Sequence, residues 1–301
     1  MTIGYAAFST NLNIIVKGNI VTTPDRCFTI SDNGDGTGTI TEYDINCGSK
    51  VKIPETINGI TITKIGDASW ENSTYVGSFA NKNITNLSLP KTITRIGTAA
   101  FFTNKLQKVN IPNNVDVIGP QAFRNNLISY LSLPDNLRTI GQWAFHGNSL
   151  TEINIPKSVT SLGDGAFTKN LVSGEQVFIY GRNSDGSINY TRLISYAGRV
   201  ATGTKIPETV THVGTSAYEG VEYKDLIISD NITHIYPHAF QGSNISGTIN
   251  ISSNIVLISS TNPPFAANPN LKTINIDRKE NAISGAPWGA TNAIINWTGT
   301  N

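Results

Sequence analysis

The sequence predicts a single β-rich solenoid, and the first reason is internal repetition. A phrase of one length recurs along the 301 residues, with starts at Leu89, Ile111, Leu133 and Ile155, each 22 residues after the last. Repetition at this period is typical of repeat architectures, in which stacked units share one continuous core. Looser or resumed copies start at Ile53, Ile206, Ile228 and Ile251.

The second reason is the alternation within each copy, which predicts a short strand. In LTEINIP, Ile153 and Ile155 share one face of a strand, while Glu152 and Asn154 take the other. The strand is expected to end at Pro156, because proline lacks the N–H that a central ladder needs.

The third reason is an apolar segment on the opposite wall of each unit. In V-T-x-L-G-x-x-A-F, Val159, Leu162 and Phe167 are expected to face inward, and Gly163 to occupy a bend too crowded for a side chain. Stacking then predicts one aromatic column, with Trp70 in place of the phenylalanine in its own unit. The column members are Phe101, Phe123, Phe145, Phe167, Tyr218 and Phe240.

These motifs resemble the BspA-type leucine-rich repeat, whose strand ending in I-P and following V-T-x-I-G-x-x-A-F are matched almost letter for letter between residues 51 and 276. The resemblance implies a right-handed superhelix of about 22-residue repeats, with a parallel sheet on one face and short strands and turns on the other. It also implies a bacterial surface or secreted protein that adheres to other proteins.

The period and its interruptions predict three regions. Residues 1–50 are a leader and a β-hairpin cap, residues 51–276 the solenoid, and residues 277–301 a C-terminal cap. Residues 171–205 break the period and read as a hairpin inserted on one edge of the solenoid, since Asn183, Asp185 and Gly186 supply turn chemistry. The phrase at residues 3–11 resembles part of a repeat. Either it is a partial repeat, which would imply that the natural protein extends upstream, or the phrase has been reused in an extended leader.

The cap holds the only cysteines, Cys27 and Cys47. In an exported protein they would cross-link its two strands; the alternative is a pair of reduced, partly buried thiols. The turn between them contains Asp32, but the positions of a calcium loop that need side-chain oxygens hold Gly34 and Gly36. A hairpin turn is therefore favoured over an ion site.

Charge and composition exclude several classes of function. A net charge of +1 provides no field to attract nucleic acid, and no apolar stretch approaches the roughly 18 residues of a membrane span. His212 and His234 occupy one repeat position as a surface pair without a carboxylate partner, and His146 is expected at the surface. With no catalytic, metal or cofactor motif, the prediction is a non-enzyme that needs no cofactor.

The candidate binding surface is the solvent face of the strands, a polar and nearly neutral hydrogen-bonding surface. Trp143 is a further candidate, either as an exposed anchor or as local packing over a neighbouring loop. The strand-face candidates are Lys108, Asn110, Tyr130, Ser132, Glu152, Asn154 and Asp225.

The predicted function is a monomeric, non-catalytic recognition module at the bacterial cell surface or outside the cell, with a protein or glycan ligand and adhesion to host or matrix proteins. The alternative is a spacer or subunit of a surface assembly that displays other parts of a longer chain.

Overall fold

A computed structural model describes residues 26–300 apart from residues 202, 224 and 225. The leader that precedes Arg26, with its repeat-like phrase at residues 3–11, lies outside the described residues. The described chain winds as a β-solenoid with a spacing of about 22 residues, as the repeats predict. Its strands are β1 Phe28–Asp32, β2 Thr37–Tyr43, β3 Lys50–Lys52, β4 Thr56–Ile57, β5 Ile60–Ile65, β6 Ser69–Glu71, β7 Thr74–Val76, β8 Asn86–Ser88, β9 Arg95–Ile96, β10 Lys108–Asn110, β11 Val117–Ile118, β12 Tyr130–Ser132, β13 Thr139–Ile140, β14 Ser161–Leu162, β15 Phe178–Arg182, β16 Ile188–Tyr196, β17 His212–Val213, β18 His234–Ile235, β19 Gly247–Ile251, β20 Leu257–Ile258, β21 Leu271–Ile276 and β22 Ile294–Trp297.

The V-T-x-I segments form the more continuous wall. Strands β5, β9, β11, β13 and β14 pair in parallel, one per turn, so that Ile96, Ile118, Ile140 and Leu162 lie in register. The I-P strands form only short sheets, β3–β8, β10–β12 and β19–β21–β22. The parallel sheet expected on the I-P face is therefore present only in short pieces, and the longer ladder runs along the other wall, where only short strands and turns were expected.

The repeat glycines allow neighbouring turns to approach closely. A Cβ added to Gly141 would lie 2.3 Å from the backbone nitrogen of Pro120 and 2.6 Å from the carbonyl carbon of Gly119. Gly163 meets the backbone of Gln142 in the same way. The crowding thus comes from the backbone of the preceding turn. The sequence had predicted it within the bend of the same unit.

The aromatic core has two columns. Rings stack face to face from Phe79 to Phe167 at centroid separations of 4.9–5.4 Å, and a second column runs from Tyr196 through Tyr218 to Phe265. The predicted single column is divided because the insertion separates the buried residues into two clusters.

Trp70 is not in the column. It lies 62% exposed on the β6–β7 hairpin, and Phe79 fills the core position instead. The insertion after Trp70 carries the chain outward, and the backbone returns in register only at Phe79, whose N–H donates to the carbonyl of Ala100.

Buried asparagines join the turns along the core. The Asn126 side chain accepts a hydrogen bond from the Leu106 N–H and donates to the carbonyls of Phe101 and Phe123. Each such side chain satisfies backbone groups on two turns that a solenoid would otherwise bury unpaired. The same pattern recurs at Asn104, Asn148, Asn170 and Asn268.

The inserted hairpin is part of the solenoid wall. Strands β15 and β16 pair antiparallel, but β16 also pairs in parallel with β17, with Leu193 opposite Val213. It was predicted on one edge; instead its second strand takes the place of a repeat strand, because Leu193 and Tyr196 supply the buried side chains that a repeat would.

A hairpin stands at the start of the described solenoid and β22 at the end of its last sheet; their role as caps remains a prediction. Strands β1 and β2 form a hairpin that joins β5 in parallel, and Cys27 and Cys47 form a disulfide. In its turn the Asp32 carboxylate accepts from the Gly34 N–H, as expected of a hairpin turn. At the other end β22 pairs with β21, and the Trp288 ring is buried.

Candidate functional site

The candidate strand face is presented by β10 and β12. The middle residue of each strand, Val109 and Leu131, points toward the core, so the flanking residues face solvent. The parallel register sets Lys108 beside Tyr130 and Asn110 beside Ser132. All four flanking residues are exposed, and their role in binding remains a prediction.

The Tyr130 ring is the large apolar group of this face. It is 54% exposed and stands between polar neighbours. An exposed tyrosine offers a rigid ring and a hydroxyl with little conformational entropy to lose, which makes it a frequent anchor in protein interfaces.

The face continues into the next turn without a strand. Glu152 and Asn154 are exposed as expected, and the Asn154 amide donates to the Glu152 carboxylate at 2.7 Å. Residues 151–155 lie outside any ladder. The sequence predicted a strand here; the turn instead borders the inserted hairpin. Asp225, the remaining strand-face candidate, lies outside the described residues.

Trp143 is packed against its neighbours. A Cβ added to Gly165 would lie 2.5 Å from Cδ1 of the Trp143 indole, so the ring covers that turn closely. The Arg124 guanidinium lies 5.2 Å from the ring centroid. The ring is half-buried. Of the two readings that the sequence left open, local packing over a neighbouring turn describes this side chain.

Three of the four histidines are a half-buried pair, His212 and His234, and the buried His146. His212 and His234 stack with ring centroids 4.3 Å apart, and each Nδ1 lies 2.8 Å from a threonine hydroxyl. Desolvation, then the charges of His234 and Arg192, lower the pKa of His212. Within the part of the chain that the structure describes, no three histidine, cysteine or acidic residues come together as a metal site.

His146 lies in the interior, where the sequence placed it at the surface. It is 5% exposed, and neither ring nitrogen has a hydrogen-bond partner among the described residues. Burial, followed by the positive charges of Arg124 and Lys169, lowers the pKa of His146 to about 3. The imidazole is therefore neutral at pH 7 and unsuited to surface binding.

A groove that sequence reasoning missed lies between the I-P wall and the inserted hairpin. Its volume is about 410 Å³. Residues Ile153–Pro156, which include Asn154 of the strand face, form one side of the groove, and residues of β15 form the other. The sequence signal was available: the break in the 22-residue period marks where the stacked wall is interrupted.

In residues 26–300, apart from the three gaps, no helix is long and apolar enough to cross a bilayer.

Comparisons with known proteins agree with the repeat organisation. The family model of the "BspA type Leucine rich repeat region" matches residues 72–180 and 195–294 with six copies, more than half of the chain. No curated protein matches the sequence.

Solved structures of repeat proteins are similar over most of their length. A leucine rich cell surface protein from Faecalibacterium prausnitzii is 21% identical with a TM-score of 0.48, covering 91% of this chain and 94% of that one. A leucine-rich repeat protein from Bacteroides ovatus is 20% identical with a TM-score of 0.49 over 90% and 74% of the two chains. One from Eubacterium ventriosum is 21% identical with a TM-score of 0.48 over 87% and 74%.

Proposed function

Because the chain belongs to the BspA-type leucine-rich repeat family, whose repeats support a recognition module, we propose that it is a non-catalytic adhesion module of a bacterial surface or secreted protein. The ligand is a protein or glycan of the host or its matrix, bound on the strand face. The observation that carries this proposal is the exposed, in-register block of Lys108, Asn110, Tyr130 and Ser132.

The chemistry of the strand face supports binding of a polar partner. Lys108 and Glu152 provide one charge of each sign, Asn110 and Ser132 provide donors and acceptors, and Tyr130 provides an aromatic anchor. Such a mixture resembles interfaces in which one or two aromatic residues carry most of the binding energy within a polar surround.

The disulfide supports the proposed location. Disulfides persist in oxidising compartments such as the periplasm, the cell surface and the medium, and are rare in the reducing cytosol. The Cys27–Cys47 bond therefore suits a chain that works outside the cytoplasm.

A binding screen against extracellular-matrix proteins and a glycan panel tests the function. The purified chain is compared with the triple variant Tyr130→Ala, Glu152→Ala, Asn154→Ala, which should fold normally because all three side chains are exposed. Saturable binding that weakens at least ~10-fold in the triple variant, as expected for loss of a hot spot, supports the proposal.

The matched control changes the opposite wall. Arg138 and Thr160 are exposed there, and Arg138→Ala with Thr160→Ala should leave binding unchanged. Equal binding by the triple variant would exclude the strand face, and binding to no target would favour the spacer hypothesis.

A further inference from the structure

The groove beside the inserted hairpin has the dimensions of a ligand site. Its 410 Å³ falls within the roughly 300–1,000 Å³ of small-molecule and peptide pockets. Its lining mixes apolar side chains with polar and charged ones. We call it the hairpin groove; its lining includes Leu133, Asp135, Ile155, Phe178, Ile179 and Arg182.

Backbone groups on both sides of the hairpin groove lack strand partners. Among the described strands β15 pairs with β16 alone, so one of its edges is open. Across the groove, the N–H groups of residues 151–155 donate to no backbone carbonyl in the described chain. Open strand edges are the template that an added peptide strand uses, with main-chain hydrogen bonds supplying affinity.

A cation without a partner stands at the rim. Arg182 is half-buried, its Nε has no hydrogen-bond partner, and none of the ion pairs in the described residues includes it. Desolvation lowers the pKa of its guanidinium. A desolvated guanidinium is expected to gain from a carboxylate, because its planar fork matches two carboxylate oxygens.

A pair of tyrosines, one on β15 and one on β16, lies in the same hairpin as Arg182. The Tyr180 and Tyr190 rings meet edge to face at 5.1 Å, and Tyr190 and Ile188 are exposed. The acidic lining residue, Asp135, is exposed, so water screens it more effectively than Arg182.

We propose that the hairpin groove binds an extended peptide segment that carries a carboxylate, added as a strand along β15 and residues 151–155, with the carboxylate on Arg182. The inference rests on the proposed recognition function and names the partner: an acidic, extended stretch of a polypeptide. An acidic glycan would also meet Arg182, but it would leave the open backbone groups without the amide partners that a peptide supplies.

Amide hydrogen exchange of the full chain with three peptide pools tests this. The probes are acetylated, amidated octapeptides with glutamate, glutamine or lysine fixed at the centre and valine, isoleucine or threonine mixed elsewhere. The glutamate pool should slow exchange at residues 151–155 and in β15 about 10-fold more than the lysine pool, in line with one charge-assisted hydrogen-bond pair. Arg182→Leu should abolish this preference, and Arg138→Leu on the opposite wall should not.

A second variant guards against loss of folding in Arg182→Leu. Ile188→Glu places a carboxylate directly opposite Arg182 in the β15–β16 ladder, where it should pair with the guanidinium and abolish the preference for the glutamate pool. Equal protection by all three pools, or a glutamate preference that survives Arg182→Leu, would overturn the proposal. So would binding of a glucuronic-acid tetrasaccharide or sialyllactose that depends on Arg182 and protects none of residues 151–155.

Failure of this inference is distinguishable from failure of the proposed function. A matrix ligand that depends on Tyr130 but tolerates Arg182→Leu leaves the adhesion function standing and removes the groove as its site. If the glutamate pool protects the groove amides selectively but no matrix or glycan ligand binds, the groove proposal stands and the proposed adhesion function fails.

Discussion

Acidification should destabilise this protein through His146. The ring is buried without hydrogen-bond partners, and its pKa in the folded state is about 3, against roughly 6.5 in an unfolded chain. Because the folded state disfavours the proton, the full stability is present above about pH 6.5 and is lost as the pH falls toward 3.

The magnitude follows from the two pKa values. Each pH unit between them costs about 1.4 kcal/mol, so His146 alone should lower the free energy of unfolding by ~2 kcal/mol at pH 5 and ~3 kcal/mol at pH 4. Loss on this scale is a large fraction of the 5–15 kcal/mol typical of a folded domain.

Urea unfolding at pH 7, 5 and 4 measures the effect, with His146→Phe as the comparison. Phe102 occupies the same repeat position, and phenylalanine keeps a ring while removing the titration. Subtracting the pH dependence of the unfolding free energy of His146→Phe from that of the wild type removes the contributions of the other histidines and of the carboxylates. If wild type and His146→Phe lose equal stability between pH 7 and pH 5, the assignment of a neutral, buried His146 is wrong.

Three further variants test how the solenoid is built. Gly141→Ala should destabilise by at least ~1–3 kcal/mol, since its Cβ would meet backbone of the preceding turn; an unchanged melting temperature would contradict the close approach. Asn126→Ala should cost ~1–3 kcal/mol by leaving the buried Leu106 N–H unpaired, while the Phe101 and Phe123 carbonyls keep their hydrogen bonds from Asn104 and Asn148; urea unfolding measures the loss, with the exposed Asn136→Ala as control. Replacing Cys27 and Cys47 with serine should lower the unfolding free energy by ~3 kcal/mol for a loop of 20 residues; an equal midpoint with and without reductant would refute this.

The packing of the regular repeats could be predicted from the sequence because each residue contacts its own counterpart one turn away. The positions of Ile118, Phe123 and Gly119 recur with the period, so the stacking partners of each could be inferred without coordinates. An asparagine stands three residues after most of the core phenylalanines, at Asn104, Asn126, Asn148, Asn170 and Asn268. The structural role of these asparagines could not be predicted, because an asparagine in a polar chain has the pattern of a surface residue until its burial is known.

The strand face was accessible in outline. Alternation placed Lys108 and Tyr130 toward solvent, and the register sets them side by side. The end of the ladder before Glu152 could not be predicted from the sequence, since it depends on which residues the inserted hairpin places beside that turn.

The sequence by itself therefore determined the repeat, the family, the inward face of each strand and the exposure of the candidate surface, because these follow from local alternation and a constant period. Tertiary structure alone decided the positions where the period fails. Trp70 lies outside the core because an insertion shifts the register, and His146 is buried because neighbouring turns cover it. The hairpin groove exists because β16 replaces a repeat strand and leaves an edge of β15 open. Each of these depends on contacts between distant segments, which no local pattern encodes.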